Sequence, residues 1–212
     1  MTQTDTRPAL TARATEIATL CELAGRFALV NRTGPVLPDG SPESDTDHTV
    51  SLTWVACTLA ARYAPELDVG LVAQFAAVHD APEVYAGDVP TQRALTRAEA
   101  AAKHAAEADA IRRLTVTAGA GSWLPRTVEA YERMDTPEAR FVWAVDKIVP
   151  KVLSVITGTG VHVTRFQYLE MLSRQRVRMH ALGLPRWLID THVEFGEHAL
   201  NLAGQPAEAV SS

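Results

Sequence analysis

The run Val69-Gly-Leu-Val-Ala-Gln-Phe-Ala-Ala-Val-His-Asp80 constrains the fold of this chain more than any other segment. Its spacing is helical, with Val72, Phe75, Ala76 and His79 along one line, and Asp68 is placed to cap its start. A helix this apolar belongs in a core, yet it ends in an imidazole and a carboxylate side by side. Burying such a pair is costly unless something compensates it. A divalent metal ion is the usual compensation, so the fold is expected to bring further ligands to this helix end.

Two residues answer that requirement. His48, 31 residues before His79, aligns with Leu52, Val55 and Leu59 at helical spacing. Asp146, 66 residues after Asp80, has Val142 before it and Val149 and Leu153 after it on the same apolar line. Two imidazoles and two carboxylates on three separate helices suit Zn²⁺, Mn²⁺, Fe²⁺ or Co²⁺. Such an N₂O₂ set, free of thiolates, leaves coordination positions to water or substrate and so favours catalysis over a closed structural site. The competing reading is a set of unrelated polar groups satisfied locally, Asp146 pairing with Lys147 or Arg140. Lys147 would point roughly 100° away from Asp146 on a continuous helix, and it is read as structural.

The rest of the chain is also helical in pattern, without credible strand alternation. Helices are expected over about residues 8–30, 47–63, 69–80, 96–114, from 125, from 137 to 157, and over 164–181 and 185–202. Thr96 and Glu99 have capping-box spacing, and Thr136-Pro137 is a helix start signal. If the helix that carries Asp146 is continuous, Pro150 should bend it, and a break in packing is the alternative reading. The stretches 33–46 and 81–90 read as loops, and 203–212 as a frayed tail. The expectation is a single all-α domain spanning residues 1–212, a helical bundle with its metal site between core helices. Its catalytic core covers about 20–155, with the C-terminal helices over about 164–202.

Composition narrows the classes of function. A formal net charge of −5 argues against a nucleic-acid backbone as the main partner. No stretch reaches the roughly 18 apolar residues of a membrane span, so no membrane partner is expected. The start Met1-Thr-Gln-Thr-Asp-Thr-Arg-Pro8 lacks the pattern of a signal peptide, and a cytoplasmic location follows by default. Cys21 and Cys57 are read as reduced, buried thiols rather than a disulfide. Trp54, Trp123, Trp143 and Trp187 are read as packing residues. His104, His162, His180, His192 and His198 have no partner at ligand spacing, and Arg174, Arg176 and Arg178 form a basic strip read as a solvated face or subunit contact.

The order His48, His79-Asp80, Asp146 resembles the H…HD…D pattern of HD-domain metal-dependent phosphohydrolases. Val30-Asn-Arg32, Asp47-His-Thr-Val-Ser51, Ala144-Val-Asp-Lys147 and, most specifically, His79-Asp-Ala-Pro-Glu-Val-Tyr-Ala-Gly-Asp-Val-Pro-Thr91 are similar to the bacterial 5′-deoxynucleotidase branch. That likeness covers about residues 20–155. It implies an all-α bundle, His48, His79, Asp80 and Asp146 as ligands of one divalent transition metal, and a small nucleotide as substrate. It also places Glu83 near the reacting phosphate. Asp88 can cap its turn, and the resemblance instead assigns it to the departing sugar oxygen. Arg32 offers a planar fork for phosphate oxygens, against an ordinary exposed arginine at a helix end, and Lys103 is read either as reaching a phosphate from the helix after the signature or as a solvated lysine. The branch has a tryptophan where this chain has Thr33, which leaves deoxyribose preference open.

The function implied is hydrolysis of deoxynucleoside 5′-monophosphates to nucleoside and phosphate. A related group, small phage-type HD enzymes that release triphosphate from dATP, shares the core motif and gives the enzymatic alternative. The non-enzymatic alternative is a metal-containing, nucleotide-binding regulatory module. Proteins of this kind resemble homodimers or larger homo-oligomers, which is the expectation here.

Overall fold

Side-chain caps set where the helices begin, and they do so at residues of the expected types. In the computed structural model, which describes residues 10–89, 95–159, 161 and 163–202, Thr11 caps α1 (Ala12–Phe27). Ser44 and Asp47 form a reciprocal capping box on α2 (Asp45–Tyr63), so Asp47 is the third helical residue rather than the cap. Asp68 accepts from Gly70 and Leu71 N–H at the start of α3 (Val69–Val78). After the single turn α4 (Glu83–Ala86), a Thr96–Glu99 box opens α5 (Arg97–Ala118). The later helices are α6 (Trp123–Glu132), α7 (Pro137–Asp146), α8 (Val149–Thr157), α9 (Arg165–Ala181) and α10 (Arg186–Leu202). Thr136 caps α7, and a Thr164–Gln167 box opens α9.

Packing explains why three of these helices hold the centre. α2 buries Leu52, Ala56 and Ala60, α3 buries Val72, Phe75 and Ala76, and α7 is buried along nearly its whole length. The small residues of α2 let α3 and α7 approach closely, while Phe75, Phe141 and Leu52 fill the space between them. Each such fully buried large side chain contributes about 1.5–3 kcal/mol. α10 packs against α8 and α9. Gly196 permits its contact with α9, since a Cβ there would come within 2.6 Å of a Leu172 methyl.

The all-α class holds, with one departure. The segment read as an open loop forms an antiparallel hairpin of β1 (Asn31–Val36) and β2 (Pro42–Ser44), with Asn31 opposite Ser44 and Val36 opposite Pro42. Gly34, Pro35 and an irregular register erase the period-2 pattern that would have announced it. Its turn is signalled by Pro38-Asp39-Gly40, with Gly40 at φ 84°.

Smaller differences have local causes. α1 is shorter than expected, α2 begins two residues earlier and α5 runs four residues further. α4 occupies part of the expected second loop. The bend expected at Pro150 is a full break: α7 stops at Asp146, and α8 restarts with Pro150 at its second position, where its missing N–H is not needed. Val55 is 36% exposed, so the inward line of α2 runs through Ala56 instead. Trp54 and Trp123 are exposed rather than packed, at 73% and 53%. Cys21 and Cys57 are unbridged, but Cys21 is exposed and Cys57 half-buried. The expected tail 203–212, Pro90 and Thr91 of the signature, and His162 lie outside the described residues. No described helix is long and apolar enough to cross a membrane.

Candidate metal centre and cleft

His48 lies in the first turn of α2, directly after the capping box, and is fully buried. Its Nε2 is 3.0 Å from Asp146 Oδ1, across 98 residues of sequence, and its Nδ1 faces Glu43 Oε1 at 3.6 Å. His79 follows the last residue of α3. Its Nδ1–H donates to the Ala76 carbonyl at 2.9 Å, which turns Nε2 inward and fixes the ring, as in many metal-ligating histidines. Tyr131 meets the ring edge-on at 6.2 Å between centroids. Nε2 is buried without a hydrogen-bond partner, 2.9 Å from Asp80 Oδ2 and 3.8 Å from Asp146 Oδ1. A bare imidazole lone pair this close to carboxylate oxygens is repulsive unless a proton or a cation lies between them. The donor atoms of His48, His79 and Asp146 all fall within 4.8 Å of one another, and the group can hold a divalent ion.

Asp80 stands at the edge of this group. Its Oδ2 also accepts from Arg32 Nη1 at 2.6 Å, and it forms a second cluster with Asp45 and Glu83. Arg32, on β1, faces Glu43 at 3.4 Å and Asp45 at 3.7 Å as well. The hairpin missing from the sequence reading is thus what carries Arg32, Glu43 and the cap of α2 to the metal centre.

So many carboxylates in one place move each other's proton affinities. Burial opposes the charge on Asp80, but His79 and Arg32 hold its carboxyl well below the usual range. Burial likewise opposes the charge on Asp146, and Lys147 and the two imidazoles outweigh it. Burial and the charge of Asp80 push Asp45 up to about 6, and burial with Asp80, Asp45 and Asp88 pushes Glu83 up to about 10. Burial works against protonation of His48, but its bonds to Asp146 and Glu43 raise it to about 9. A divalent cation would relieve this accumulation of negative charge, so the donor set fits one.

The remaining expected residues are placed unequally. A cleft of about 600 Å³ opens over the centre and is lined in part by Arg32, His79, Asp80, Glu83, Asp88 and Asp146. Glu83 Oε2 is buried and unbonded. Asp88 Oδ2 accepts the Thr33 N–H at 2.6 Å, tying the hairpin to the turn after α4. Thr33 is exposed at that junction. Lys103 lines the cleft, with its ammonium 2.6 Å from Glu107. Lys147 does not point away: at the cap position just past α7 it returns its ammonium to 2.6 Å from Asp146 Oδ2, the pairing that the competing reading of Asp146 expects.

Sequence reading missed Glu43 and Asp45, buried at the end of the hairpin, and Tyr131 behind His79. It also missed the cleft face of α9, where Arg174, Gln175 and Arg178 project with the spacing i, i+1, i+4. That spacing was the available signal. The unreadable part was which element α9 would face.

Helices that converge histidines and aspartates from distant parts of a chain, beneath an open cleft, define a metal-binding helical domain. The chain matches the HD-domain family over residues 24–182 and belongs to it. The match extends past the expected catalytic core and takes in α9. The fold is similar to that of a predicted metal-dependent phosphohydrolase from Magnetospirillum magnetotacticum MS-1, at TM-score 0.70 and 22% identity over 90% of this chain and 96% of that one. It is also similar to a conserved hypothetical protein from Pyrococcus furiosus (TM-score 0.55, 20% identity, 84% of this chain and 99% of the other). The PH0347 protein from Pyrococcus horikoshii OT3 is comparable, at TM-score 0.53 and 18% identity over 88% and 99%. No curated protein matches the chain in sequence.

Proposed function

We propose that this protein is a metal-dependent phosphohydrolase that cleaves the P–O5′ bond of small nucleotides, deoxynucleoside 5′-monophosphates first among them. The observation that carries this reading is the convergence of the inward Nε2 of His79 with donor atoms of His48 and Asp146, on the floor of a cleft large enough for a nucleotide. The HD-domain family and the phosphohydrolase of similar fold support the reaction class. His48, His79 and Asp146 would hold the ion, with Asp80 at its edge. Bound there, Mn²⁺, Co²⁺, Zn²⁺ or Fe²⁺ would supply Lewis acidity and a water acidified toward neutral pH.

The chain's own residues divide the remaining work. Arg32 holds Asp80 in place and faces the cleft, where its fork can meet phosphoryl oxygens. Glu83 is better placed than Asp88 to carry a proton at the leaving 5′-oxygen. Its Oε2 is unbonded, whereas Asp88 Oδ2 is engaged by the Thr33 N–H. A second reading, release of triphosphate from deoxynucleoside triphosphates, breaks the same P–O5′ bond and is favoured by the basic side chains on α9.

Product-resolved assays of dNMPs, NMPs and dNTPs with Mn²⁺, Co²⁺, Zn²⁺ and Mg²⁺ test the proposal, with Asp80→Ala as control. Nucleoside with orthophosphate from dNMPs, absent in the variant, is the expected result. Metal and nucleotide binding without turnover of any substrate would overturn it in favour of a regulatory module.

A further inference from the structure

The cleft has two unlike sides. Its floor is carboxylate-rich, whereas the side formed by α9 and the end of α7 presents hydrogen-bond donors. The donors begin at the metal centre, where Lys147 Nζ lies 2.6 Å from Asp146 Oδ2 and 6.0 Å from the centre of the Trp143 ring. Arg178 covers the same ring, its guanidinium carbon 4.4 Å from the centroid. Among the described residues no carboxylate lies within ion-pair distance of Arg178. Arg174 follows one turn back on α9 and faces the cleft, sharing its charge with Glu170 of its own helix at 3.2 Å.

Gln175 lies between these arginines, and its orientation is fixed from behind. Its Oε1 accepts from Lys151 Nζ at 2.9 Å and faces His192 Nε2 at 2.8 Å. Lys151 Nζ donates to the Lys147 carbonyl as well, and two nitrogen donors thus meet the same amide oxygen, so that oxygen points inward and the NH₂ is left toward the cleft. His192 Nδ1 is buried without a partner, which agrees with a proton on Nε2 and an acceptor at Nδ1. Lys151 and His192, which do not line the cleft, are therefore positioning residues for a donor that does. On the opposite side Lys103 already neutralises Glu107, while burial and Glu107 itself raise Glu132 toward its neutral form.

From this arrangement we infer that Lys147, Arg174, Gln175 and Arg178 form a subsite for phosphates beyond the one at the metal. The enzyme then binds nucleoside polyphosphates more tightly than monophosphates. The inference rests on the nucleotide reading above, and it identifies the part of the cleft that selects the length of the phosphate chain. A monophosphate would leave this face unused. A triphosphate would place its outer phosphates against two guanidiniums, an amide and an ammonium.

The test compares dNMP, dNTP and inorganic tripolyphosphate on the metal-loaded protein, by calorimetry and by steady-state KM. Expected is at least about tenfold tighter binding of dNTP than dNMP, as for one charge-assisted hydrogen bond or more. In the double variant Arg174→Gln/Arg178→Gln that ratio should collapse toward unity and tripolyphosphate binding should be lost. Arg176→Gln, on the same helix but lining a different surface groove, should leave the ratio unchanged. Gln175→Glu, with an acceptor where the amide donated, should weaken tripolyphosphate more than Gln175→Ala does. Equal affinities of the unaltered protein for dNMP and dNTP would overturn the inference even if dNMPs are hydrolysed well. Retention of the ratio in the folded double variant would do the same. Tripolyphosphate bound through the two arginines without turnover of any nucleotide would instead remove the nucleotide reading while leaving the anion subsite standing.

Discussion

The floor of the cleft and its α9 side are built by opposite means. The floor is assembled from residues far apart in sequence, on helices whose other faces are the best-buried parts of the molecule. The α9 side comes mainly from one turn of one helix, joined by Lys147 just past the end of α7, on exposed or half-buried side chains, those of α9 held chiefly through α10. Groups that must meet an ion within tenths of an ångström need the stiffness of a core. Groups that attract a charged tail need reach and solvation, and a surface helix supplies both. Changes to the floor should therefore act on metal, turnover and stability together, and changes to the α9 side on affinity alone.

The largest effect that would sharpen this contrast is expected for Asp146→Ala. It removes the carboxylate that meets His48, Lys147 and the metal group, so metal affinity should fall by more than the roughly 10–100-fold typical of outer-shell losses. Turnover should vanish with it, and metal titration of the folded variant checks both. Leu52→Ala, one turn along α2 from His48, should cost about 2–5 kcal/mol in chemical denaturation. An exposed α9 substitution should cost less than about 0.5 kcal/mol. Similar losses at the two places would break the comparison.

Lys151 gives an intermediate effect with a definite sign. Burial, helped by the charge of Lys147, lowers its ammonium from 10.5 to about 7. Between those values the unfolded chain binds the extra proton, so this group's contribution to stability rises with pH by at most about 1.4 kcal/mol per unit. Below about pH 7 both states are protonated and the contribution stays flat at its least favourable. Denaturation of Lys151→Met from pH 6 to 10 should lack that rise, and an unchanged slope would deny that Lys151 is the source. A smaller effect, on turnover first, is expected for Arg32→Lys, which keeps the charge but loses the planar fork. It should lower kcat about tenfold and lower the melting temperature as well, since Arg32 faces Asp80, Glu43 and Asp45, as steady-state kinetics beside thermal unfolding would reveal.

The floor was legible in sequence because buried polar residues on apolar helical lines need partners. That reasoning located His48, His79 and Asp146 without any knowledge of the packing. Caps such as Asp68, Thr96 and Thr136 were legible because each satisfies local N–H groups. The hairpin was not, since Gly34 and Pro35 suppress alternation and its pairing is the only order it has. Lys147 was misread by extending α7 past its true end. Arg174, Gln175 and Arg178 sit on a helix whose polar faces look alike until its neighbours are known.

One peptide bond joins the two sides of the cleft, that between Asp146 and Lys147. The helix ends there, so consecutive side chains can serve the floor and the donor face at once. This ties the site to counting rather than to composition. A single residue inserted ahead of this bond would rotate Asp146 about 100° off its line and carry Lys147 with it. The same insertion in the exposed turn at Gly119–Gly121, between α5 and α6, would only lengthen a connection. Length changes are tolerable at many surface turns of this protein, but at the junction of α7 and α8 the reading frame of the helix is itself part of the site.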